Sequence, residues 1–327
     1  MGSAAAKELL KRGHEVKAIA LPPLPEGADI PSGMQLELKS YMSLSDEEIR
    51  SCVKGCDGFI FASGVDERVD GPSPIYEFFN KFNVHPLERF LRIAKESGVK
   101  HAAICGSYFS HFDKIWPEKE LYRWHPYIRS RRDQEKMALG FADDNFSVAI
   151  LELPYIFGAQ QGREPVWTLI IKVVRGMPGV TMYPGGGTTM VTVRQVGEAL
   201  AGAIEKTKGG QCWPIGYYNM KWKDFLKIVH KHMGMPNRKV ITIPKWMLQL
   251  GIKSMEKKLR EPGAEGGLYM PKFPDLQCAE TFIDKTLGCV PLGVTEDNID
   301  AAIGESIRLS MDVLDGKLKS VVGMKGE

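Results

Sequence analysis

The chain has 327 residues, of which 43% are hydrophobic and 25% charged, and its formal net charge is +3. These values are ordinary for a folded globular protein. No basic run indicates nucleic-acid binding, and no stretch approaches the roughly 20 apolar residues of a membrane-spanning helix. The six cysteines lack C-x-x-C spacing, so they predict reduced thiols in a cytoplasmic protein with no metal site.

The chain opens on a helical pattern followed by strand-like segments. Ser3 is expected to cap a helix that Gly13 ends, and residues 14–21 (HEVKAIAL) predict a short buried strand. A loop rich in proline and glycine follows, and residues 34–40 (MQLELKS) predict a second strand.

The next segments carry a helix-start signal and a long helical pattern. Ser45 and Glu48 have the spacing of a capping box, in which each side chain bonds the other's backbone amide. Residues 58–64 (GFIFASG) form an apolar run bounded by glycines. Residues 74–98 predict a long helix with a kink at Pro86.

Helix and strand patterns continue to alternate up to about residue 155. Residues 99–107 and 146–154 predict buried strands, and residues 125–142 predict the helix between them. Short, non-alternating strands separated by amphipathic helices indicate a parallel sheet covered on both faces. With right-handed crossovers, this predicts an α/β fold of the Rossmann type, built on a doubly wound parallel sheet. We expect a nucleotide-binding domain over 1–155 and a mainly substrate-binding region over 156–327, some segments of which return to the core.

Seven segments, in the right order, carry a family resemblance. They are GSAAAKELLKRGHEV (2–16), GCDGFIFASG (55–64), FNVHPLERFLRIAKESGVKHAAICGS (82–107), HPYIRSRRDQEK (125–136), LELPYIFG (151–158), VTVRQVGEALAGAIEK (191–206) and ETFIDKTLGCVPLGVTEDNIDAAIGESI (280–307). Together they resemble the extended or atypical short-chain dehydrogenases/reductases, the NAD(P)-dependent epimerase/dehydratase family. The resemblance implies an NAD(P)-dependent oxidoreductase that interconverts a carbonyl and an alcohol.

The start of the chain departs from the family pattern. In such folds the first strand leads through a glycine-rich turn into the first helix, and the pyrophosphate sits on that helix's N-terminus. The resemblance makes Gly2 the last glycine of this turn. We therefore expect the first strand and most of the turn to be missing from this sequence.

The resemblance assigns catalytic roles to three residues. Tyr127 occupies the place of the family's tyrosine acid/base, Arg131 that of its lysine, and Ser107 that of its serine, with Ser110 as the alternative serine. The i, i+4 spacing puts Tyr127 and Arg131 on one helix face, where a cation favours the phenolate. Arginine keeps the charge of lysine but is planar and wider. The alternative for Tyr127 is a structural tyrosine at a helix start.

The resemblance also implies contacts to NAD or NADP. The candidate residues are Gly2, Ser40, Ala62, Ser63, Gly64, Asn83, Pro154, Tyr155 and Ile156. The end of the second family strand reads ALPPL, without the acidic residue typical of NAD binding or the arginine typical of NADP binding. The sequence therefore leaves the choice of dinucleotide open.

The substrate is expected to be a small molecule other than a nucleotide sugar. Thr188 and Thr189 stand where family members that bind nucleotide sugars carry an Arg-Asp pair, so the diphosphate would lose its charge-assisted contact. A homodimer is common in the family, and the sequence leaves it open here. The competing hypothesis is a non-catalytic relative that binds a dinucleotide or another ligand as a sensor or scaffold.

Overall fold

The computed structural model describes residues 1–160, 162–259 and 263–318. The strands in this part of the chain are β1 (Lys17–Ala20), β2 (Gln35–Leu38), β3 (Gly58–Phe61), β4 (Asp70–Pro72), β5 (His101–Cys105), β6 (Ser147–Glu152), β7 (Tyr155–Phe157), β8 (Thr181–Pro184), β9 (Gly187–Thr192), β10 (Gly210–Pro214), β11 (Tyr218–Lys221), β12 (Val240–Ile243), β13 (Ala264–Gly266) and β14 (Glu280–Thr281).

Helices connect and cover these strands. The α-helices are α1 (Gly2–Lys11), α2 (Asp46–Val53), α3 (Ile75–Phe79), α4 (His85–Glu96), α5 (Tyr108–Ile115), α6 (Leu121–Trp124), α7 (Pro126–Leu139), α8 (Thr168–Arg175), α9 (Val193–Lys206), α10 (Trp222–His232), α11 (Lys245–Leu259), α12 (Pro274–Gln277), α13 (Cys289–Leu292) and α14 (Ile299–Leu314). A π-helical segment (Asn80–Val84) joins α3 to α4. None of the described helices is long and apolar enough to cross a membrane.

The central sheet is parallel and buried, which confirms the predicted α/β class. Its strand order is β10-β6-β5-β3, and all three pairings are parallel. Apolar clusters cover both faces: α1 and α9 contribute to one, and α4 and the end of α7 to the other. Strands buried in this way cannot alternate polar and apolar residues, which explains the continuous apolar runs in the sequence.

Strands β1 and β2 form a separate, two-stranded parallel sheet. Within the described residues, no ladder joins β1 to β3, although Ile19 and Phe59 pack into one apolar cluster. The Lys17 ammonium also donates to the Lys54 carbonyl at 3.3 Å. The two sheets therefore lie side by side, with unpaired edges on β1 and β3.

Of the two predicted helix starts, the capping box of Ser45 and Glu48 is confirmed and the cap at Ser3 is wrong. Ser45 accepts from the Glu48 amide at 3.2 Å and Glu48 accepts from the Ser45 amide at 2.8 Å, which confirms the capping box. The cap assigned to Ser3 is wrong, because α1 already begins at Gly2. Ser3 lies within the helix, and its hydroxyl donates to the Asp29 carbonyl at 2.9 Å.

The predicted long helix is interrupted where Pro86 removes a backbone donor. The chain runs as α3, then through the π-helical segment Asn80–Val84, and then as α4 with Pro86 in its first turn. Proline cannot donate to the preceding turn, and the wider π turn accommodates this loss. The consequence is local: the turn presents Asn83 to the protein interior, where it is fully buried.

Residues beyond β6 build smaller sheets around β9. Strand β9 pairs with β7, β11 and β14, and β8 pairs with β12. Helices α8, α10 and α14 enclose a second apolar core there. Strand β10 pairs with β6, so the chain returns to the central sheet after β9.

Candidate functional site

The candidate site lies at the carboxyl ends of β3 and β5, beside the first turns of α7. Pro126 begins α7, where its missing N–H costs no hydrogen bond, and Tyr127 follows it. The Tyr127 amide donates to the Gly267 carbonyl at 2.9 Å, which ties the helix start to the chain near β13. Carboxyl ends of parallel strands are where ligands bind in open α/β sheets.

Tyr127 and Arg131 lie in direct contact, as their spacing predicts. The Arg131 Nε donates to the Tyr127 hydroxyl at 3.1 Å, and the guanidinium carbon lies 5.2 Å from the centre of the phenol ring. Both residues are buried, with 4% of Tyr127 and 7% of Arg131 exposed. The guanidinium therefore fixes the phenol oxygen at one place.

The other Arg131 donors bind oxygen atoms from three elements. Nη2 donates to the Val65 carbonyl at 3.2 Å. Nη1 donates to the Gln134 side-chain oxygen at 2.9 Å and, at 3.5 Å, to the Cys105 carbonyl. A planar fork reaches these acceptors together, which a lysine ammonium cannot do. Arg131 thus links α7 to the ends of both β3 and β5.

Burial dominates the protonation of Tyr127. It raises the pKa of the phenol, and the Arg131 charge opposes this shift only in part, while Glu67 and Asp66 raise the pKa further. The Arg131 charge therefore favours the phenolate, as its spacing predicts, but the effect of burial on the pKa is larger.

Gly64 and Asn83, both predicted cofactor contacts, lie against each other beside Arg131. The Asn83 side chain accepts from the Val65 amide at 2.8 Å and donates to the Val65 carbonyl at 3.0 Å. Gly64 has φ +130°, and a Cβ there would lie 2.5 Å from the Asn83 oxygen. Asn83 thus fastens the turn after β3.

The two candidate serines differ in their contacts. Ser107 is the N-cap of α5, and its oxygen accepts from the Phe109 amide at 3.3 Å. Within the described residues, no acceptor is found for the Ser107 hydroxyl proton. Ser110 is fully buried, and its hydroxyl has no partner among the described residues.

Four more predicted cofactor residues lie at the ends of strands or at the start of α1. Gly2, at the start of α1, lies against Ala62: a Cβ on Gly2 would be 3.7 Å from that of Ala62. Ser63 is exposed. Ser40 follows β2, and its carbonyl accepts from the Ser43 hydroxyl at 3.1 Å.

The predicted turn Pro154–Ile156 borders an aromatic wall, by which we mean Tyr108, Tyr155 and Trp222. The Tyr155 ring centre lies 5.9 Å from that of Tyr108 and 5.8 Å from that of Trp222. Ile156 faces the central core, and Pro154 is buried. The wall is uncharged, and it belongs partly to the apolar cluster that contains Tyr127.

Glu67 is a site residue that the sequence reasoning missed. It is half-buried, and burial, reinforced by Asp66, raises the pKa of its carboxyl to about 7. Its charge raises the pKa values of the Tyr127, Tyr108 and Tyr155 phenols. In the sequence, Glu67 could have been found only from its position, three residues after the small residues 62–64 that follow β3.

A second buried group of ionisable residues lies between α5, α7 and β6. The ligand-type atoms of Glu135, Glu152 and Cys212 lie within 4.8 Å of one another. The Lys114 ammonium lies 2.6 Å from Glu152 and 3.5 Å from Glu135, and Arg132 pairs with Glu135 at 2.9 Å. These side chains supply the positive charge in this cluster.

Solved structures with the same overall fold cover nearly the whole chain. The protein gox2253 matches with a TM-score of 0.72 and 21% identity over 97% of this chain and 96% of its own. The nucleoside-diphosphate-sugar epimerase PA4631 from Pseudomonas aeruginosa matches with a TM-score of 0.66 and 14% identity over 95% and 94%. UDP-glucuronic acid 4-epimerase from Bacillus cereus, solved with UDP-glucuronic acid and NAD, matches with a TM-score of 0.63 and 12% identity over 95% and 96%.

These similarities show a shared fold. The chain has the Rossmann-type α/β fold of these solved structures, two of which are named as epimerases. No protein-family model matches the sequence, and neither does any curated protein.

Proposed function

We propose that the protein is an NAD(P)-dependent oxidoreductase of the short-chain dehydrogenase/reductase type. It would interconvert a carbonyl and an alcohol on a small substrate that is not a nucleotide sugar. The observation that carries this proposal is the Tyr127 hydroxyl, held at 3.1 Å by the Arg131 guanidinium at the carboxyl ends of the central strands.

The residues at the strand ends suit a dinucleotide. Gly2 has no side chain and Ala62 carries only a methyl group, so a flat ligand could approach the backbone closely at this place. When bound there, a nicotinamide dinucleotide would supply or accept the hydride. The proton must then come from the protein.

Tyr127 is the proton donor in the reductive direction. Burial keeps its phenol protonated. As the substrate carbon gains a hydride, its oxygen takes the phenol proton, and the phenolate that remains is stabilised by the Arg131 charge. The Ser107 hydroxyl, free to donate, would bind the same substrate oxygen as negative charge develops on it.

The contacts around Thr188 and Thr189 support an uncharged substrate. Both threonines are fully buried, and the Thr188 hydroxyl bonds the Tyr108 hydroxyl at 3.3 Å. A diphosphate at this place would meet aromatic rings instead of a guanidinium. We therefore expect ketones or alcohols on an apolar frame to be accepted in preference to nucleotide sugars.

The proposal is tested by nicotinamide absorbance with a panel of apolar ketones, comparing the native chain with Tyr127→Phe. Removing a general acid typically costs a factor of about 10²–10⁴ in rate. Tyr122→Phe is the matched control, because that phenol is 42% exposed and bonds Asp133 instead. Equal turnover in the native chain and Tyr127→Phe would remove Tyr127 from the mechanism.

The second candidate is a non-catalytic ligand-binding relative. Arg131 already makes four hydrogen bonds within the protein, which suit a structural role as well as a catalytic one. Gly64 packs so tightly against Asn83 that a Cβ there would clash, which also suits a structural role. Dinucleotide binding without turnover of any ketone or alcohol would favour this candidate.

We further propose that one more parallel strand fits between β1 and β3. The Gln35 amide donates to the Val16 carbonyl, and the Lys39 amide donates to the Ala20 carbonyl. Because alternate residues of a strand direct their backbone groups to opposite neighbours, the Ile19 amide faces away from β2. The His101 amide donates to the Asp57 carbonyl, so by the same alternation the Ile60 amide of β3 faces away from β5. Most side chains of β1 and β3 are only partly buried, Lys17 being exposed and Phe61 buried, whereas those of β6 are almost all buried.

Hydrogen exchange tests this strand directly. A chain extended ahead of Met1 by an apolar strand and a glycine-rich turn is expected to slow exchange of the Ile19 and Ile60 amides and to strengthen NADH binding. The same extension with a central proline is the control, since proline cannot bond a ladder. Unchanged exchange in the extended chain would refute the added strand.

A further inference from the structure

Two carboxyl groups and a thiol form a buried cluster between α5, α7 and the central sheet. We call Glu135, Glu152 and Cys212 the Glu152 cluster; one ligand-type atom from each lies within 4.8 Å of the other two. Glu152 is fully buried, Glu135 is 1% exposed and Cys212 is partly buried. An ionised carboxylate in such a place needs a cation close by, because burial of an unpaired charge is costly.

The fold brings these three side chains together from separate elements. In the parallel ladder of β6 and β10, Cys212 lies opposite Ile150. Side chains two positions apart leave the same face of a strand, so Glu152 and Cys212 share one face of the sheet. On that face Ile150 and Cys212 pack into the apolar cluster that contains Ala138 of α7. Glu135 lies on the same helix, so α7, β6 and β10 each supply one ligand-type atom.

The charges around the Glu152 cluster do not balance. The Lys114 ammonium lies 2.6 Å from a Glu152 oxygen and 3.5 Å from a Glu135 oxygen. Arg132 pairs with Glu135 at 2.9 Å, but it also pairs with Asp113 at 3.0 Å. Three carboxylates therefore share two cations in this part of the described chain. One negative charge is left over when all three carboxyl groups are ionised.

Buried oxygen atoms of the cluster lack a hydrogen-bond donor. Oε1 of Glu135 and Oε2 of Glu152 accept no hydrogen bond from any described residue. The Nδ1 atom of His111, on α5, lies 3.8 Å from Oε2 of Glu152, which is too far for a hydrogen bond. Burial lowers the pKa of His111 to about 4, so its imidazole is neutral and keeps a free lone pair. Two unpartnered oxygens and a neutral imidazole therefore lie side by side.

We propose that the Glu152 cluster binds a divalent transition-metal ion of the zinc type, with His111 as the fourth ligand. Zn²⁺ takes four ligands from thiolate, imidazole and carboxylate groups, whereas Mg²⁺ and Ca²⁺ require oxygen ligands. Such a site revises the expectation, drawn from cysteine spacing alone, that the chain has no metal site.

The ion would replace two groups that occupy the cluster without it. The side chain of Lys114 is 30% exposed, so its ammonium can turn out to solvent. Burial raises the pKa of the Cys212 thiol to about 12, so the metal-free sulfur carries a proton, which passes to solvent as the ion binds. The bound ion would join α5, α7, β6 and β10, and it would stabilise the folded chain.

Titration of the metal-stripped chain with ZnCl₂ and CoCl₂ tests the site. Calorimetry is expected to show saturable Zn²⁺ binding, and Co²⁺ is expected to give the near-ultraviolet charge-transfer band of a thiolate ligand. Cys212→Ser should remove this band and weaken Zn²⁺ binding at least tenfold. Cys278→Ser is the matched control, because it removes another partly buried thiol, at the end of α12 and outside the cluster.

A second variant makes the opposite prediction. Lys114→Met removes the competing ammonium, so it should strengthen Zn²⁺ binding at least tenfold and enlarge the rise in melting temperature on adding Zn²⁺. Lys136→Met, which removes an exposed lysine from α7, is its control. A native chain without the cobalt–thiolate band would overturn the site, whatever the variants do. Equal Zn²⁺ affinity in the native chain and Cys212→Ser, or equal effects of Lys114→Met and Lys136→Met, would also overturn it. None of these measurements involves turnover, so the metal site and the oxidoreductase proposal stand or fall separately.

Discussion

Arg131 is expected to be a principal stabilising residue as well as a catalytic candidate. Arg131→Met keeps much of the side-chain volume but removes every donor. The Tyr127 hydroxyl, the Val65 carbonyl and the Gln134 side-chain oxygen would then each lose a bond of 3.2 Å or less. A buried polar group without its partner costs about 1–3 kcal/mol.

The net effect is smaller than the sum of three such costs. Removing a buried guanidinium also removes its own desolvation penalty. The Val65 carbonyl also keeps its bond from Asn83. We therefore expect Arg131→Met to lower the free energy of unfolding by about 2–4 kcal/mol, chiefly from the Tyr127 hydroxyl and the Gln134 oxygen. Arg131→Lys keeps the charge and can retain the bond to Tyr127, so about 1–3 kcal/mol should be lost.

Urea unfolding followed by circular dichroism measures these differences. Arg123→Met is the matched control, because its side chain is 65% exposed, pairs with Glu120 on the surface and lies over the Trp124 ring. That control should stay within about 0.5 kcal/mol of the native chain. If Arg131→Met matched the control, the four hydrogen bonds could not link α7 to β3 and β5 as the structure indicates.

Three further predictions concern stability. Burial and the neighbouring carboxylate raise the pKa of Glu152 from 4.5 to about 8. The folded chain thus holds an extra proton between these values, and stability should fall by up to about 1.4 kcal/mol per pH unit as pH rises through this window. Glu152→Gln should flatten the decline in pH-dependent thermal unfolding. Gly64→Ala should cost about 1–3 kcal/mol through strain and the contact with Asn83; Gly13→Ala, at positive φ in open space, isolates the strain alone. Ser45→Ala should cost about 1 kcal/mol in urea unfolding, and an unchanged midpoint would contradict the capping box.

Local signals in the sequence predicted the elements well. The capping box of Ser45 and Glu48 and the contact between Tyr127 and Arg131 depend only on residues within one turn of each other. Backbone geometry within a turn is fixed by the helix itself, so spacing alone is informative. The strands of the central sheet were equally accessible, because burial on both faces leaves continuous apolar runs.

Contacts between distant segments were not accessible. Ser3 looked like a cap, yet its hydroxyl bonds Asp29, which lies 26 residues away. The effect of Glu67 on the pKa values of three phenols depends on packing that brings α5, α7 and β7 together. No local pattern of residues encodes contacts between segments so far apart in sequence.

The π-helical segment Asn80–Val84 places nearby residues on different sides of one turn. Asn83 is fully buried and holds the turn after β3 through Val65, whereas Lys81 is exposed. Residues two positions apart in a helix face nearly opposite directions. A wider turn ahead of Pro86 also sets the phase of α4, because each residue inserted into a helix rotates the remainder of that helix by about 100°. The burial of Leu87, Phe90 and Leu91 on α4 therefore depends on this irregularity, which links the packing of α4 to the anchoring of the Tyr127–Arg131 pair.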